Sequence, residues 1–423
     1  MNCKNTWQLK TRFLLSIGML NLFLGCSSVT GPDCLGGSIE FNKNSPNADI
    51  DMDDGINTEI DMDTEGITQR TPFTRPELIS RIEAYLNTLK GAGFSGAVLV
   101  AQNGEIIFEG GYGLADRDKN IPITPETIFD TGSLSKQFTA ATILHLEEQG
   151  QLQVEDTLAN FFDDVPPDKA NITLHQLLTH SSGLPGYVYA GDFEETTRQE
   201  AITLAFNARL ESPPGTEYLY SDTGYGLLAA IVEIVSGQSF QTYLKQYFFD
   251  SAGMTKTGFY NDPQWAEMTI AHGYNNGKDF GSAAVRPGPY WGLLGFGGVL
   301  TTVGDLYLWN EALANNLILS ETSITKLFTP YIQEGNEDSY YGYGWAIRDL
   351  PDYGKMISHN GATDSQNAMM IMYEDPKKTL VVVLSNRIDE GLLRETFYGT
   401  DTSLALGCSI LKQDFNQLPA YAH

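Results

Sequence analysis

The placement of strand and helix patterns along the chain constrains the fold more than any other feature of the sequence. Near its start, helical spacing over 76–89 precedes strand patterns over 94–102 and 105–110, which the turn Asn103-Gly104 joins as a hairpin. A long helix-rich stretch follows. Strand patterns then return over 342–348, 355–359, 368–373 and 379–385, before helical spacing over 392–411. We therefore predict an α+β fold in which strands from both ends build one antiparallel sheet flanked by helices, with an inserted helical region.

The segment before this pattern has the features of an export signal. Lys4, Lys10 and Arg12 precede an apolar run over 13–24 that is too short to span a bilayer comfortably. The sequence Leu22-Phe-Leu-Gly-Cys26 resembles the lipobox of bacterial lipoproteins, which implies cleavage before Cys26 and lipidation of that cysteine. An ordinary secretory signal or an uncleaved anchor is the alternative interpretation.

The stretch from 26 to 74 lacks periodicity and contains an acidic tract, which predicts a solvated, self-repelling tether. The expected organisation is a signal peptide over 1–25, a tether over 26–74 and a folded domain over 75–423. We expect an exported protein, anchored by lipid to a bacterial membrane and facing the periplasm or the cell surface.

Composition excludes several classes of function. A net charge of −27 provides no basic surface to neutralise phosphates, so nucleic acid is not an expected partner. The 6 histidines are sparse and form no His-Glu-x-x-His pattern, and no dinucleotide or P-loop motif occurs. We therefore expect neither a metal nor another cofactor. The cysteines are widely scattered and predict no disulfide framework.

A serine and a lysine lie three residues apart in Gly132-Ser-Leu-Ser-Lys136, at the start of a helix predicted to end near 149. Residues at this spacing share one helix face, and a helix start favours developing negative charge. Ser133 and Lys136 are therefore candidates for a nucleophile and its base. The pattern alone is not specific, because Ser323-Ile-Thr-Lys326 matches it as well.

Two later motifs provide further candidates. Tyr220-Ser-Asp222 lies in a loop before an apolar helix, and His359-Asn-Gly361 is predicted to end a strand, followed by Ala362. A glycine there allows close approach by a substrate or another backbone. Each motif also has a plainer interpretation, as a packed aromatic ring, a helix N-cap or a strand-end residue. The segment 291–298 is a candidate cleft lining, whereas His175 and His180 are expected to be structural.

Together, the order and spacing of the three motifs resemble those of the serine β-lactamase and penicillin-binding protein superfamily, especially class C β-lactamases, D,D-peptidases and β-lactamase-fold esterases. The resemblance covers about 76–411 and includes Ile172-Thr-Leu-His-Gln-Leu-Leu-Thr-His-Ser-Ser-Gly-Leu184. It implies that Ser133 is the nucleophile, Lys136 its base partner and Tyr220 the second proton carrier. The backbone amides of Ser133 and Ala362 would bind the oxyanion. Whether Lys136 or a Tyr220 phenolate is the base is left open.

Two departures from the lactamase pattern affect the expected substrate. Asp222 replaces an asparagine, and a carboxylate cannot donate a hydrogen bond to a substrate carbonyl. His359 replaces a lysine and is mostly neutral at pH 7, so it is a weaker anchor for a substrate carboxylate. We predict a serine hydrolase acting on small-molecule or peptide esters or amides, including D-amino-acid or cell-wall derivatives. A class C-like β-lactamase and a non-catalytic binding or regulatory protein are the alternatives.

Overall fold

The computed structural model describes residues 72–335, 338–390, 395–416 and 418–419. The predicted signal peptide, Cys26 and nearly all of the predicted tether lie outside the described residues. In the part of the chain that is described, no helix is both long and apolar enough to cross a membrane.

Helices dominate the middle of the described chain and also occur at both of its ends. Short 3-10 turns and the π-helical segment Lys245–Phe249 connect some of them. The α-helices are α1 (Arg75–Gly91), α2 (Ser135–Glu148), α3 (Leu174–Leu178), α4 (Arg198–Asn207), α5 (Asp222–Ser236), α6 (Phe240–Leu244), α7 (Asp250–Ala252), α8 (Val303–Ala314), α9 (Glu321–Leu327) and α10 (Tyr398–Lys412).

The strands form one large sheet and three small ones. They are β1 (Gly96–Gln102), β2 (Glu105–Tyr112), β3 (Leu114–Asp116), β4 (Ile121–Pro122), β5 (Phe129–Asp130), β6 (Gly258–Phe259), β7 (His272–Asn275), β8 (Lys278–Ser282), β9 (Val299–Thr301), β10 (Ile332–Gln333), β11 (Tyr340–Tyr341), β12 (Ala346–Leu350), β13 (Gly354–Ala362), β14 (Asn367–Tyr373), β15 (Leu380–Ser385), β16 (Arg387–Glu390) and β17 (Glu395–Phe397).

The large sheet has the order β10-β11-β12-β13-β14-β15-β1-β2, with antiparallel pairing throughout. The N-terminal hairpin joins the C-terminal strands where β1 pairs with β15, from Gly96 opposite Ser385 to Ala101 opposite Leu380. The prediction of one antiparallel sheet built from both ends of the domain is therefore confirmed.

Helices cover both faces of the large sheet. Leu78 of α1 and Leu406 of α10 share one core with Val98 of β1. The neighbouring Leu99 faces a second, larger core, which includes apolar residues of α2 and α5. Successive side chains of a strand point to opposite faces and both faces are covered, so 96–101 of β1 and 380–384 of β15 are apolar and buried. The larger core is the side on which α2 carries Lys136.

Two predicted elements differ from the observed ones in continuity or in type. The strand predicted over 342–348 is interrupted, because the Gly342 amide donates a 2.8 Å hydrogen bond to the Trp345 carbonyl and closes a turn between β11 and β12. Gly344 has a φ of +78° in this turn, a conformation that glycine adopts without strain. Residues 395–397, predicted as helix, form β17 against β16, and α10 begins at Tyr398. Here strand pairing overrides local helical spacing.

Candidate active site

The candidate nucleophile Ser133 lies in the tight turn Gly132–Leu134, which runs directly into α2. Buried groups hold this turn in place through hydrogen bonds. Asp130 accepts a 3.2 Å hydrogen bond from the Gly132 amide and a short one from the Tyr260 hydroxyl. The Thr131 hydroxyl donates to the Val299 carbonyl at 2.8 Å. Burial raises the pKa of Asp130 above its ordinary value. Ser133 is therefore presented by a rigid turn and is itself only half-buried.

Lys136 is completely buried, and its amine contacts the candidate nucleophile. The Nζ atom lies 3.0 Å from Ser133 Oγ, 3.3 Å from the carbonyl oxygen of Phe296 and 2.6 Å from Asp222 Oδ1. Burial lowers the pKa of Lys136 below its ordinary value, and the Asp222 carboxylate opposes this effect. The segment 291–298, predicted as a candidate cleft lining, contacts Lys136 through the carbonyl of Phe296.

Tyr220 also reaches the nucleophile. Its ring lies 4.7 Å from Lys136 Nζ, and its hydroxyl interacts with Ser133. Burial and the nearby Asp222 charge raise the pKa of Tyr220 well above its ordinary value, although the hydrogen bond with Ser133 acts in the other direction. Tyr220 is therefore a neutral phenol at pH 7 and can donate a proton.

Asp222 is the first residue of α5 and points its carboxylate at Lys136. The N-cap of this helix is Ser221, whose Oγ accepts a 3.1 Å hydrogen bond from the Gly224 amide. The interpretation of Asp222 as the N-cap is therefore wrong: the preceding serine has that function. The Asp222 side chain is 16% exposed, whereas that of Lys136 is 0% exposed. Solvent therefore reaches the Asp222 side of the pair but not Lys136.

His180 contacts the loop that carries Tyr220 and Asp222, although it lies far from this loop in the sequence. Its ring lies 4.3 Å from that of Tyr220, and its Nδ1 accepts a 3.0 Å hydrogen bond from the Ser221 amide. Burial keeps the pKa of His180 well below its ordinary value, so the ring is neutral. His180 therefore holds the loop that carries Tyr220 and Asp222. The sequence contains no periodicity or spacing that links these positions.

His359 lies on β13 with both ring nitrogens engaged. The Tyr341 hydroxyl is 2.9 Å from Nε2, and the Asn360 carbonyl is 2.5 Å from Nδ1. Burial, together with the Lys136 charge, lowers the pKa of His359 to about 3. The side chain is therefore neutral at pH 7 and supplies no positive charge to a ligand.

Gly361 and Ala362 bring β13 against the turn of the nucleophile. The strand extends through these residues instead of ending before them. A Cβ atom at Gly361 would lie 2.0 Å from the Thr131 carbonyl oxygen and 2.7 Å from the Ser133 amide nitrogen. A Cβ atom at Gly132 would lie 2.8 Å from the Ala362 amide nitrogen. The amides of Ser133 and Ala362 are therefore close together, as an oxyanion site requires.

The second Ser-x-x-Lys pattern does not form a comparable pair. Lys326 Nζ lies 2.7 Å from a carboxylate oxygen of Glu147 and takes part in a salt bridge with it. Ser323 instead packs near the start of α9, where its amide donates to Ser320 Oγ at 3.3 Å. The same local spacing thus gives a partly buried ion pair between Lys326 and Glu147 instead of a contact between lysine and serine.

Asp192 is a further charged residue near the site, and no sequence motif marks it. Its Oδ1 accepts a 2.9 Å hydrogen bond from the Tyr187 hydroxyl, and its charge acts on Lys136. Burial raises the pKa of Asp192 to about 6, with contributions from Asp222 and Asp364. In the described ranges of the chain, no three His, Cys, Asp or Glu side chains are grouped so as to hold a metal ion.

Comparisons with known proteins identify a family and several relatives that this chain resembles. Residues 80–396 match the Beta-lactamase family. Penicillin-binding protein 4* of Bacillus subtilis (strain 168) is 32% identical over 314 residues, which are 70% of this chain and 69% of that protein. A putative D-alanyl-D-alanine carboxypeptidase of Escherichia coli O157:H7 is 24% identical over 379 residues, 77% of this chain and 85% of its own. The octameric penicillin-binding protein homologue from Pyrococcus abyssi has a TM-score of 0.69 and 27% identity, covering 80% of this chain and 78% of that one.

Proposed function

The chain belongs to the Beta-lactamase family, and we propose on that basis that it is a serine hydrolase that forms a covalent acyl-enzyme on Ser133. The observation that carries the proposal is the 3.0 Å distance between Ser133 Oγ and the Nζ atom of a completely buried lysine, Lys136. A serine hydroxyl becomes a strong nucleophile only when a base lies within hydrogen-bond reach, and this contact meets the requirement.

In the proposed reaction, Lys136 removes the proton of Ser133 Oγ while that oxygen attacks the acyl carbon. The amides of Ser133 and Ala362 donate hydrogen bonds to the resulting oxyanion. The Tyr220 hydroxyl gives its proton to the leaving oxygen or nitrogen and recovers the proton held by Lys136, and the bond to the leaving group breaks. Water then attacks the acyl-enzyme by the same sequence of proton transfers and releases the acid.

Lys136 is a better candidate for the base than Tyr220. A phenolate at Tyr220 would be buried and would lie near the Asp222 carboxylate, and both conditions raise its pKa. Burial lowers the pKa of Lys136 and so favours the free amine, which is the form that acts as a base. We therefore assign the first proton transfer to Lys136 and the second to Tyr220.

The proposed substrates are esters and amides, including peptides that end in D-amino acids. The names of the similar proteins support this class, since they include penicillin-binding proteins and a putative D-alanyl-D-alanine carboxypeptidase. Efficient β-lactam hydrolysis is not part of the proposal, because the neutral His359 supplies no cation for the β-lactam carboxylate and Asp222 has no amide to donate.

Covalent labelling tests the proposal. The purified protein is incubated with a neutral fluorophosphonate, with a fluorescent penicillin and with a p-nitrophenyl ester, and adducts are located by mass spectrometry. We expect an adduct on Ser133, and no adduct or turnover in Ser133→Ala. Ser323→Ala is the matched control, because it alters the other Ser-x-x-Lys pattern and should keep full activity. Undiminished turnover in Ser133→Ala would refute the proposal, and labelling of Ser133 without turnover of any ester or amide would identify a binding protein instead.

We also propose, from the sequence alone, that the protein is exported and lipid-anchored through Cys26. Cells producing the protein would be fed an alkyne-labelled fatty acid, and the label would be detected on the purified chain. Cys26→Ser should abolish both labelling and membrane association, whereas Cys34→Ser should preserve them. Equal labelling of the two variants would contradict the proposal.

A further inference from the structure

Asp222 lies 2.6 Å from Lys136 Nζ, and Asp192 and Asp364 add further negative charge in this region, which has a consequence for substrate choice. We propose that the site selects acyl substrates that carry an ammonium group near the scissile bond, such as esters and amides of amino acids with a free amino group. Asp192 and Asp364 are the proposed specificity-determining residues. The inference rests on the proposed acyl-enzyme at Ser133 and defines the substrate class of that site.

Asp192 is linked to the candidate site through Tyr187 and the segment 291–298. The Tyr187 hydroxyl that donates to Asp192 Oδ1 also lies 3.3 Å from the Gly292 carbonyl, at the start of the segment that lines the site. Further along that segment, the Phe296 carbonyl contacts Lys136 Nζ at 3.3 Å. Among the described residues, Asp192 receives its side-chain hydrogen bond at Oδ1, which leaves Oδ2 available to a ligand.

Asp364 places a second carboxylate at the exposed rim. It follows Ala362 by two residues, in the turn between β13 and β14, and its side chain is exposed to solvent. The backbone of Ala362 lies against Gly132, beside the nucleophile. The Asp364 charge also acts on Asp192 and Asp130, so these carboxylates share one region of the molecule.

Lys136 and Arg286 are cations in the region of these carboxylates, and both are already engaged. Lys136 is paired with Asp222 at 2.6 Å. The Arg286 guanidinium lies 4.5 Å from the ring centre of Phe193 and donates to a backbone carbonyl at 3.3 Å. His359 is neutral and bonded at both nitrogens. A carboxylate on the acyl part of the substrate would therefore be repelled, whereas an ammonium group at the same position would be attracted.

The test uses one set of matched substrates on the full-length protein. These are 4-nitrobenzyl esters of D- and L-alanine with a free amino group, an N-acetyl group or an N-succinyl group, which present a cation, a neutral group and an anion. We expect kcat/KM to fall in that order, by about tenfold for each step in charge. Raising the ionic strength should reduce the differences, because salt screens charges that are accessible to solvent.

Asp192→Asn and Asp364→Asn should each lower the ratio of cationic to neutral turnover by about three- to tenfold. Asp352→Asn removes an exposed carboxylate from the turn before β13 and should leave the ratio unchanged. If Asp192→Asn unfolds, the exposed Asp364→Asn still tests the inference. Labelling of Ser133 by the neutral fluorophosphonate separates the possible failures. Labelling with no preference for the cation overturns this inference alone, and the absence of labelling overturns the proposed function together with it.

Discussion

Replacing Asp222 by asparagine isolates the electrostatic control of the proposed base. Asparagine has almost the same shape, so the change removes the charge that lies 2.6 Å from Lys136 Nζ and keeps the helix start that Ser221 caps. The carboxylate stabilises the ammonium form of Lys136, whereas burial stabilises the free amine. Without the carboxylate, the pKa of Lys136 should fall further, and the protein should remain active at lower pH.

The size of this effect follows from the geometry. Opposite charges a few ångströms apart interact by about 1 kcal/mol in water and by about 4 kcal/mol at the effective dielectric constant of a protein surface. Lys136 is completely buried and the Asp222 side chain is only 16% exposed, so the value in water is a lower bound for this pair. Because about 1.4 kcal/mol corresponds to a tenfold change in protonation, Asp222→Asn should raise the unprotonated fraction of Lys136 by about 5- to 1000-fold while the ammonium form still dominates.

The stability of the folded protein provides a second measurement of the interaction energy between Asp222 and Lys136. The unfolded chain holds the Lys136 proton up to a pKa of about 10.4, whereas burial lowers that pKa in the folded protein. The unfolded state therefore binds more protons between the two values, and stability rises with pH in that range. Asp222→Asn should lower the free energy of unfolding by about 1–4 kcal/mol at pH values below the folded pKa of Lys136. The deficit should disappear as the pH rises through the folded pKa of the wild-type lysine.

The assay is the pH profile of kcat/KM for a neutral p-nitrophenyl ester, combined with urea unfolding at several pH values. The acid limb of the profile should move to lower pH in Asp222→Asn. Asp352→Asn, an exposed change of the same chemistry, should leave both the profile and the stability unaltered. An unchanged acid limb in a folded Asp222→Asn protein would refute the assignment of Lys136 as the base.

Three shorter predictions follow from the contacts around the site. Gly361→Ala should reduce kcat by about a hundredfold or more, because the added Cβ would lie 2.0 Å from the Thr131 carbonyl oxygen and displace the turn that carries Ser133. Gly91→Ala is the control, because a Cβ there meets no atom within 4 Å. Equal activity in the two variants would contradict this prediction. His180 Nδ1 accepts a hydrogen bond from the Ser221 amide; His180→Asn retains an acceptor and should keep most activity. His180→Leu leaves that amide without a partner, which costs about 1–3 kcal/mol, and should lower kcat. Equal kcat values for the two variants would show that the acceptor is not needed. His359 has a folded pKa of about 3 against an ordinary value near 6.5, so the stability it contributes is present above pH 6.5 and lost as the pH falls, by about 1.4 kcal/mol per unit; His359→Gln should lack this dependence in urea unfolding between pH 7 and pH 4, and an identical slope in both proteins would contradict it.

Much of the fold was predictable because its signals are local. Hydrophobic spacing located the helix around Leu78 and Ile82, and alternation with a two-residue turn located the first hairpin. The joining of both ends into one sheet followed from where strand patterns occur along the chain. The errors arose where long-range pairing competes with local preference, as at β17, where three residues with helical spacing extend a small sheet.

The sequence by itself determined which reactive groups the chain contains and that Ser133 and Lys136 lie close together at the start of a helix, because a three-residue spacing brings them within one turn of each other. Ser323 and Lys326 have the same spacing, yet Lys326 forms a salt bridge with Glu147. Only the tertiary structure decided between the two pairs. It buries one lysine against a carboxylate and a carbonyl brought from distant parts of the chain, and burial is what changes the chemistry of an amine.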